Sequence, residues 1–279
     1  MYKIIFFDID GTLLTGKKRI PESARKAIAE LKEAGIIPAI ATGRPPFRIH
    51  EILAELEIET YVSLNGQYVV HQNEVIYQNP MKKGAVKRIA KAAELNNQTV
   101  AFCGSDKILG NSLVSASSKG WKKKISNHLP FTPPHFIVNL IFKYGDKSKK
   151  PILKEYYEDR VIYQCMLHAT EKYDAYYAKE FPDCNFMRWN PYSVDVCPEG
   201  GSKAVGIIKL LEHLHIPIEA TAAFGDGLND IEMLKLVGTG IAMGNGREEL
   251  KQVADKITES PEKNGIQIGL QEIGAIKNK

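Results

Sequence analysis

Asp8-Ile9-Asp10-Gly11-Thr12-Leu13 places two carboxylates one residue apart directly after the apolar run Ile4-Ile5-Phe6-Phe7. A short run of aromatic and β-branched residues reads as a strand buried on both faces of a parallel sheet, so both acids fall at its carboxyl end. Open α/β sheets form their ligand crevice there. Two acids so placed can address one metal-bound anion, one as nucleophile and the other as its proton-transfer partner.

Three further apolar runs end in residues suited to phosphate or metal. Ile40-Ala41 leads into Thr42-Gly43-Arg44. Ser193-Val194-Asp195-Val196 is followed by Gly200-Gly201-Ser202-Lys203. Ala222-Ala223-Phe224 runs into Gly225-Asp226-Gly227-Leu228-Asn229-Asp230. The pattern predicts that all four meet at one edge of one sheet.

The elements needed to hold them follow from periodicity. A helix opens at Pro21-Glu22-Ser23, repeats Ala24, Ile28 and Leu31 on one stripe, and can close at Gly35. A strand over 36–41 contains Pro38, which cannot donate to a ladder and is expected near the strand start. A helix over 47–56, a strand over 61–64 and a hairpin pairing 68–70 with 75–77 complete the first half. Residues 85–95, 152–157 and 173–181 have helical character, while 99–103, 136–142 and 161–167 are strand-like. Alternation then resumes with strands at 193–196, 221–224, 241–243 and 256–258, and helices at 203–214, 231–236 and 248–253. The fold class expected is α/β: a doubly wound, mostly parallel sheet core with an inserted α/β cap domain. The core comprises 1–82 and 187–279, and the cap 83–186.

The four ordered motifs resemble those of the haloacid-dehalogenase-like hydrolase superfamily: a DxDGT strand end, a Thr after the second strand, a Lys opening a helix, and a GDGxND-type loop. The insertion between the Thr and Lys motifs, preceded by Ser63-Leu64-Asn65-Gly66, is similar to that of Cof-type phosphatases. Gln67 departs from the pattern, which often has Ala there, and could alter the substrate rim.

The resemblance implies a phosphatase acting through an aspartyl phosphate. Asp8 is the expected nucleophile and Asp10 the acid that protonates the leaving oxygen and then activates water. An ionised carboxylate repels a phosphate dianion unless a cation intervenes, so Mg²⁺ is the expected cofactor, held by Asp8, the main-chain carbonyl of Asp10, and Asp226. Thr42, Gly43, Lys203 and Asn229 are assigned to the phosphoryl oxygens. A cation at a helix N-terminus is electrostatically misplaced without a nearby anion, which singles out Lys203. Asp230 is expected to orient its neighbours, and Arg44, Asn65, Gln67 and Arg188 to form the substrate rim. The substrate expected is a small phosphorylated metabolite: a sugar phosphate or a phosphorylated cofactor such as flavin mononucleotide or pyridoxal phosphate. A phosphomutase on the same scaffold and a phospho-aspartate signalling module are the alternatives. The long insertion and the position of Asp10 oppose the second.

Composition excludes other classes. A hydrophobic fraction of 44% suits ordinary globular cores. The net charge of +4 concentrates in residues 83–186, including Lys122-Lys123-Lys124 and Lys147, Lys149 and Lys150, and would favour anionic substrates. The basic residues are too scattered, with too few aromatics, for a nucleic-acid surface. Cys103, Cys165, Cys184 and Cys197 form no CxxC pair and read as small buried hydrophobes. The seven histidines show no paired helical spacing and are assigned no metal. The apolar opening is too short for a signal peptide and no run could span a bilayer. A cytoplasmic protein with no membrane or protein partner is expected.

Overall fold

The computed structural model describes residues 1–111 and 151–278, apart from the side chains of Trp189 and Asn190. The strand expected at 136–142, the lysine runs 122–124 and 147–150, Trp121 and His135 lie outside the described residues. By contacts the chain divides into two units, 1–78 with 202–279, and 79–201.

The chain opens with β1 (Ile4–Phe7), whose four residues are all buried. Helix α1 (Glu22–Glu33) buries Ala24, Ala27, Ile28 and Leu31. It ends in a Schellman closure: Gly35 turns at φ +73, its N–H donates to Lys32 O, and Ile36 N–H donates to Leu31 O, each at 2.9 Å. There follow β2 (Ile37–Ala41), a 3-10 turn over Pro46–Arg48, α2 (His50–Leu56), β3 (Thr60–Ser63), and the hairpin of β4 (Tyr68–His71) and β5 (Glu74–Gln78). Pro38 is the second residue of β2. Pairing with β3 starts only at Ile40, so Pro38 interrupts no ladder on that side.

The second unit contains α3 (Lys83–Leu95), β6 (Val100–Cys103), β7 (Ile108–Gly110), β8 (Gln164–Leu167), α4 (Asp174–Glu180), β9 (Cys184–Asn190) and β10 (Ser193–Pro198). Among the described residues its sheet runs β7-β6-β8-β10-β9, with every pairing antiparallel. One face packs Val100, Phe102, Cys165, Leu167, Val194 and Val196 with α3, Tyr177 and Phe181.

Three expectations are corrected here. The strand read at 193–196 belongs to this antiparallel sheet rather than to the parallel core, because it folds back on β9 through the two-residue turn Pro191-Tyr192, pairing Ser193 with Asn190. The unit borders accordingly fall at 78/79 and 201/202, not at 82/83 and 186/187. The stretch expected as a helix at 152–157 contains only a 3-10 turn, Lys154–Tyr156.

The first unit resumes with α5 (Lys203–Leu214), β11 (Thr221–Gly225), α6 (Ile231–Leu236), β12 (Thr239–Ala242), α7 (Glu248–Lys251), β13 (Lys256–Ile257) and α8 (Gly265–Glu272). Its sheet runs β13-β12-β11-β1-β2-β3-β4-β5. The pairings from β13 to β3 are parallel, and those among β3, β4 and β5 antiparallel.

The period-two alternation of side chains divides the apolar residues between the sheet's faces. Ile5, Phe7, Ile40, Phe224 and Ile241 pack with α1, α2 and α8. Ile4, Phe6, Ala39, Val62, Ala223 and Ala242 pack with α5 and α6. Phe7 and Phe224 stack across β1 and β11 with centroids 5.3 Å apart. The result is a doubly wound sheet whose central strands are buried on both faces. None of the described helices is long and apolar enough to cross a membrane.

Candidate active site

Asp8 follows β1 and stays in line with the sheet, its N–H donating to Phe224 O at 3.0 Å. The chain then curls so that Leu13 N–H reaches Asp8 O and Leu14 N–H reaches Ile9 O. Gly11 sits in this curl at φ +83, where a Cβ would lie 2.2 Å from Asp226 Oδ2. Only glycine lets the Asp8 loop lie so close to the Asp226 loop. Thr12, fully buried, donates through Oγ1 to Asp226 Oδ1 at 3.1 Å.

Lys203, the first residue of α5, is fully buried and lies between two acids. Its Nζ stands 2.6 Å from Asp8 Oδ1 and 2.6 Å from Asp230 Oδ1. The other oxygen of Asp230 accepts the N–H groups of Asp226 at 3.0 Å and Gly227 at 2.9 Å. Asp230 thus fixes both Lys203 and the acidic loop. Carboxylate oxygens of Asp8, Asp226 and Asp230 lie within 4.8 Å of one another.

One lysine does not neutralise this cluster. Burial pushes Asp8 up to about 8, with Asp230 and Asp226 adding to the rise and Lys203 opposing it. Burial likewise pushes Asp226 up to about 7, helped by Asp230 and opposed by the Thr12 hydrogen bond and by Lys203. The two flanking acids hold Lys203 above the usual lysine range despite its burial.

The Thr42 loop reaches the same strand ends. Thr42 is buried, and its Oγ1 accepts the Arg44 N–H at 3.2 Å. Gly43 lies under the Asn65 carboxamide, where a Cβ would meet Nδ2 and Oδ1 at 3.1 Å. Asn229 Nδ2 donates to Asn65 Oδ1 at 3.2 Å. Asp10 stands apart from the carboxylate cluster: its side chain is 60% exposed and forms a two-pronged pair with Arg44, Nε donating to Oδ2 at 2.7 Å.

Of the residues expected on the substrate rim, Arg44 pairs with Asp10. Asn65 and Gln67 are each 1% exposed, with Gln67 Nε2 donating to Asn65 O at 2.9 Å. They are interior supports of the loop because the turn carrying them folds inward beneath Thr42. Arg188 lies on β9 in the second unit, held by Asp174 and by Ala169 O.

Two contributors escaped the sequence reading. Thr12 stood inside the first motif without an assigned role. Asn245, in the glycine-flanked loop after β12, donates to Gly11 O at 2.9 Å. The same loop ties Arg247 N–H to Asp226 O at 3.0 Å. A polar residue between two glycines just past a fifth parallel strand was the available signal.

Residues 5–270 match the family described as haloacid dehalogenase-like hydrolase. The chain is 40% identical over 275 residues to YkrA of Bacillus subtilis, a phosphatase by name, covering 99% of each chain. It is 28% identical to the 5-amino-6-(5-phospho-D-ribitylamino)uracil phosphatase YitU of Bacillus subtilis, covering 96% of each. Among solved structures it resembles the sugar phosphatase BT4131, described as subclass IIB, with a TM-score of 0.78 and 29% identity, over 98% of this chain and 100% of that one. The chain belongs to the haloacid dehalogenase-like hydrolases. Within them it falls among the phosphatases.

Proposed function

We propose that the chain is a Mg²⁺-dependent phosphatase that hydrolyses a small phosphorylated metabolite, a sugar phosphate or a phosphorylated cofactor, through a phosphoryl group carried on Asp8. The observation that carries this reading is the placement of Lys203 Nζ, 2.6 Å from Asp8 Oδ1. It orients one carboxylate oxygen and leaves the other for attack on phosphorus.

The donor set fits a hard divalent cation. It consists only of oxygens, and burial and mutual repulsion push the crowded acids Asp8 and Asp226 up to about 8 and 7, more than Lys203 offsets. Asp8, Asp226 and the Asp10 carbonyl would hold it, since both oxygens of Asp230 are committed to Lys203 and to backbone N–H groups. When bound, Mg²⁺ supplies charge neutralisation between carboxylate and phosphate.

The chain's own groups do the rest. Asp8 forms a bond to phosphorus as the ester P–O bond breaks, and Asp10 gives its proton to the departing oxygen. Water then attacks the phosphorus of the acyl phosphate after giving a proton to Asp10, and phosphate leaves with Asp8 restored. Thr42 Oγ1, the Gly43 N–H, Lys203 and Asn229 receive the phosphoryl oxygens. Asp10 must exchange its Arg44 pair for the leaving oxygen, so an anionic or hydroxyl-rich substrate that engages Arg44 would free it. Relatives named for a ribitylaminouracil phosphate and for sugar phosphates support a small polyol-like leaving group.

The test is phosphate release by the purified protein with Mg²⁺ across sugar phosphates, nucleotides, flavin mononucleotide and pyridoxal phosphate, beside Asp8→Asn. The amide keeps the shape but cannot attack, so turnover should fall by at least about a thousandfold with circular dichroism unchanged. Residual turnover within about tenfold of wild type would remove Asp8 from the nucleophile's place.

A further inference from the structure

Leu64, Asn65 and Gly66 take three successive left-handed backbone conformations, with φ of +52, +51 and +93. For Leu64 and Asn65 this runs against the preference of an L side chain, and such turns persist only where their surroundings over-determine them. The surroundings here do so. Leu64 is fully buried, its N–H donates to Arg44 O, and Asn65 N–H donates to Thr42 O, both at 3.1 Å. Gln67 Nε2 folds back onto Asn65 O.

The same turn touches two more segments. A Cβ on Gly66 would lie 1.9 Å from Ser202 O and 3.2 Å from Gly206 N, so the first turn of α5, which carries Lys203, rests directly on it. The Asn65 side chain accepts the Asn229 amide N–H and covers Gly43. One strained turn is therefore the common neighbour of all three segments assigned to phosphate: Thr42-Gly43, Lys203 and Asn229.

We propose that Asn65 is a positioning residue for phosphoryl binding, its carboxamide holding Asn229 and the Gly43 N–H in fixed relation to Lys203 so that the three loops receive phosphate as one preorganised unit. This rests on the phosphatase reading above. The competing explanation is that asparagine is present only because it tolerates a left-handed backbone. Glycine separates the two, since it adopts that conformation still more readily and carries no amide.

The experiment is a double-mutant cycle of Asn65→Gly and Asn229→Ala in the full chain with Mg²⁺. It reads p-nitrophenyl phosphate hydrolysis, inhibition by inorganic phosphate, and thermal melting. N65G should stay folded, raise KM and weaken phosphate inhibition about tenfold, the effect of one lost oriented hydrogen bond. N229A should lose at least as much, since it also removes a phosphate contact, and the loss in the double variant should fall clearly short of the sum of the two singles, because the two side chains share the Asn65–Asn229 contact. A phosphate inhibition constant within about twofold of wild type in N65G, or additive losses in the double variant, would overturn the positioning role. Asn65→Ala carried through the same cycle supplies the test if the glycine variant does not fold. A wild type inert toward every phosphate ester overturns the phosphatase reading instead, whereas an active wild type with an unchanged N65G overturns the role of Asn65 alone.

Discussion

The two units solve different problems with their sheets. In the first, strands β13 to β3 run parallel, so their carboxyl ends lie along one edge and deliver Asp8, Thr42, Asp226 and Asn245 there. In the second, neighbouring strands of the described sheet alternate in direction, and its interior is an aromatic and aliphatic cluster around Tyr177, Phe181 and Phe186. All four cysteines lie on its strands. A parallel sheet concentrates loop chemistry at one edge, while an antiparallel sheet distributes its loops between two. The charged groups buried at the edge of the first sheet are therefore costly to hold there, whereas the second unit is held by ordinary packing.

The sharpest test of that contrast is Lys203→Met. Removing the cation leaves the buried carboxylates Asp8 and Asp230 facing each other without the charge between them, a loss of about 3–5 kcal/mol in stability together with near-complete loss of turnover. Trp121 and Trp189, the only tryptophans, both belong to the second unit's segment. Urea unfolding followed by far-UV dichroism should shift strongly, and the tryptophan fluorescence transition much less. Equal shifts in both would mean that the units unfold as one and that the contrast is not energetic.

A weaker perturbation is pH in the metal-free protein. Burial raises Asp8 and Asp226 to about 8 and 7 in the folded state, from about 3.9 for an ordinary aspartate, so between these limits the folded state binds more protons than the unfolded one. Stability is then greatest below about pH 4 as far as these two groups are concerned, and is lost as pH rises through 7 and 8. Melting in EDTA should fall from pH 5.5 to 8.5, and Mg²⁺ should restore most of the loss at the alkaline end. A metal-free melting temperature that rises over this interval would contradict the electrostatic account of the site.

The legible parts of the sequence were those governed by local pattern. Ile4-Ile5-Phe6-Phe7 could only be an interior strand, and Gly225-Asp226-Gly227 could only be a tight acidic turn following one. The buried pairing of Lys203 was foreshadowed by its misplacement at a helix start. Long-range geometry was not legible. Ser193 to Val196 has the apolar content of a core strand, and only its pairing with Phe186 to Asn190 on one side and Cys165 to Leu167 on the other assigns it to the second unit. Asn65 and Gln67 look like surface polar residues until the positive φ values at 64–66 turn them inward. Asn245 and Gly11 are far apart in the chain, and no local signal links them.

The smallest effect expected lies in the second unit and defines the other end of the contrast. Tyr177 is 1% exposed and packs against Phe181 and Phe186 with centroids 5.6 and 5.3 Å away. Its hydroxyl donates to Gln98 Oε1. Tyr177→Phe keeps the ring and its packing but leaves that buried carbonyl oxygen without this donor, at a cost of about 1–3 kcal/mol. The fluorescence-detected transition should move to lower urea, while turnover of an aryl phosphate stays within about twofold of wild type, because nothing in the acidic loops depends on this bond. A loss of turnover larger than the loss of stability would show that the second unit's core acts on the chemistry, and that the division of labour between the sheets is incomplete.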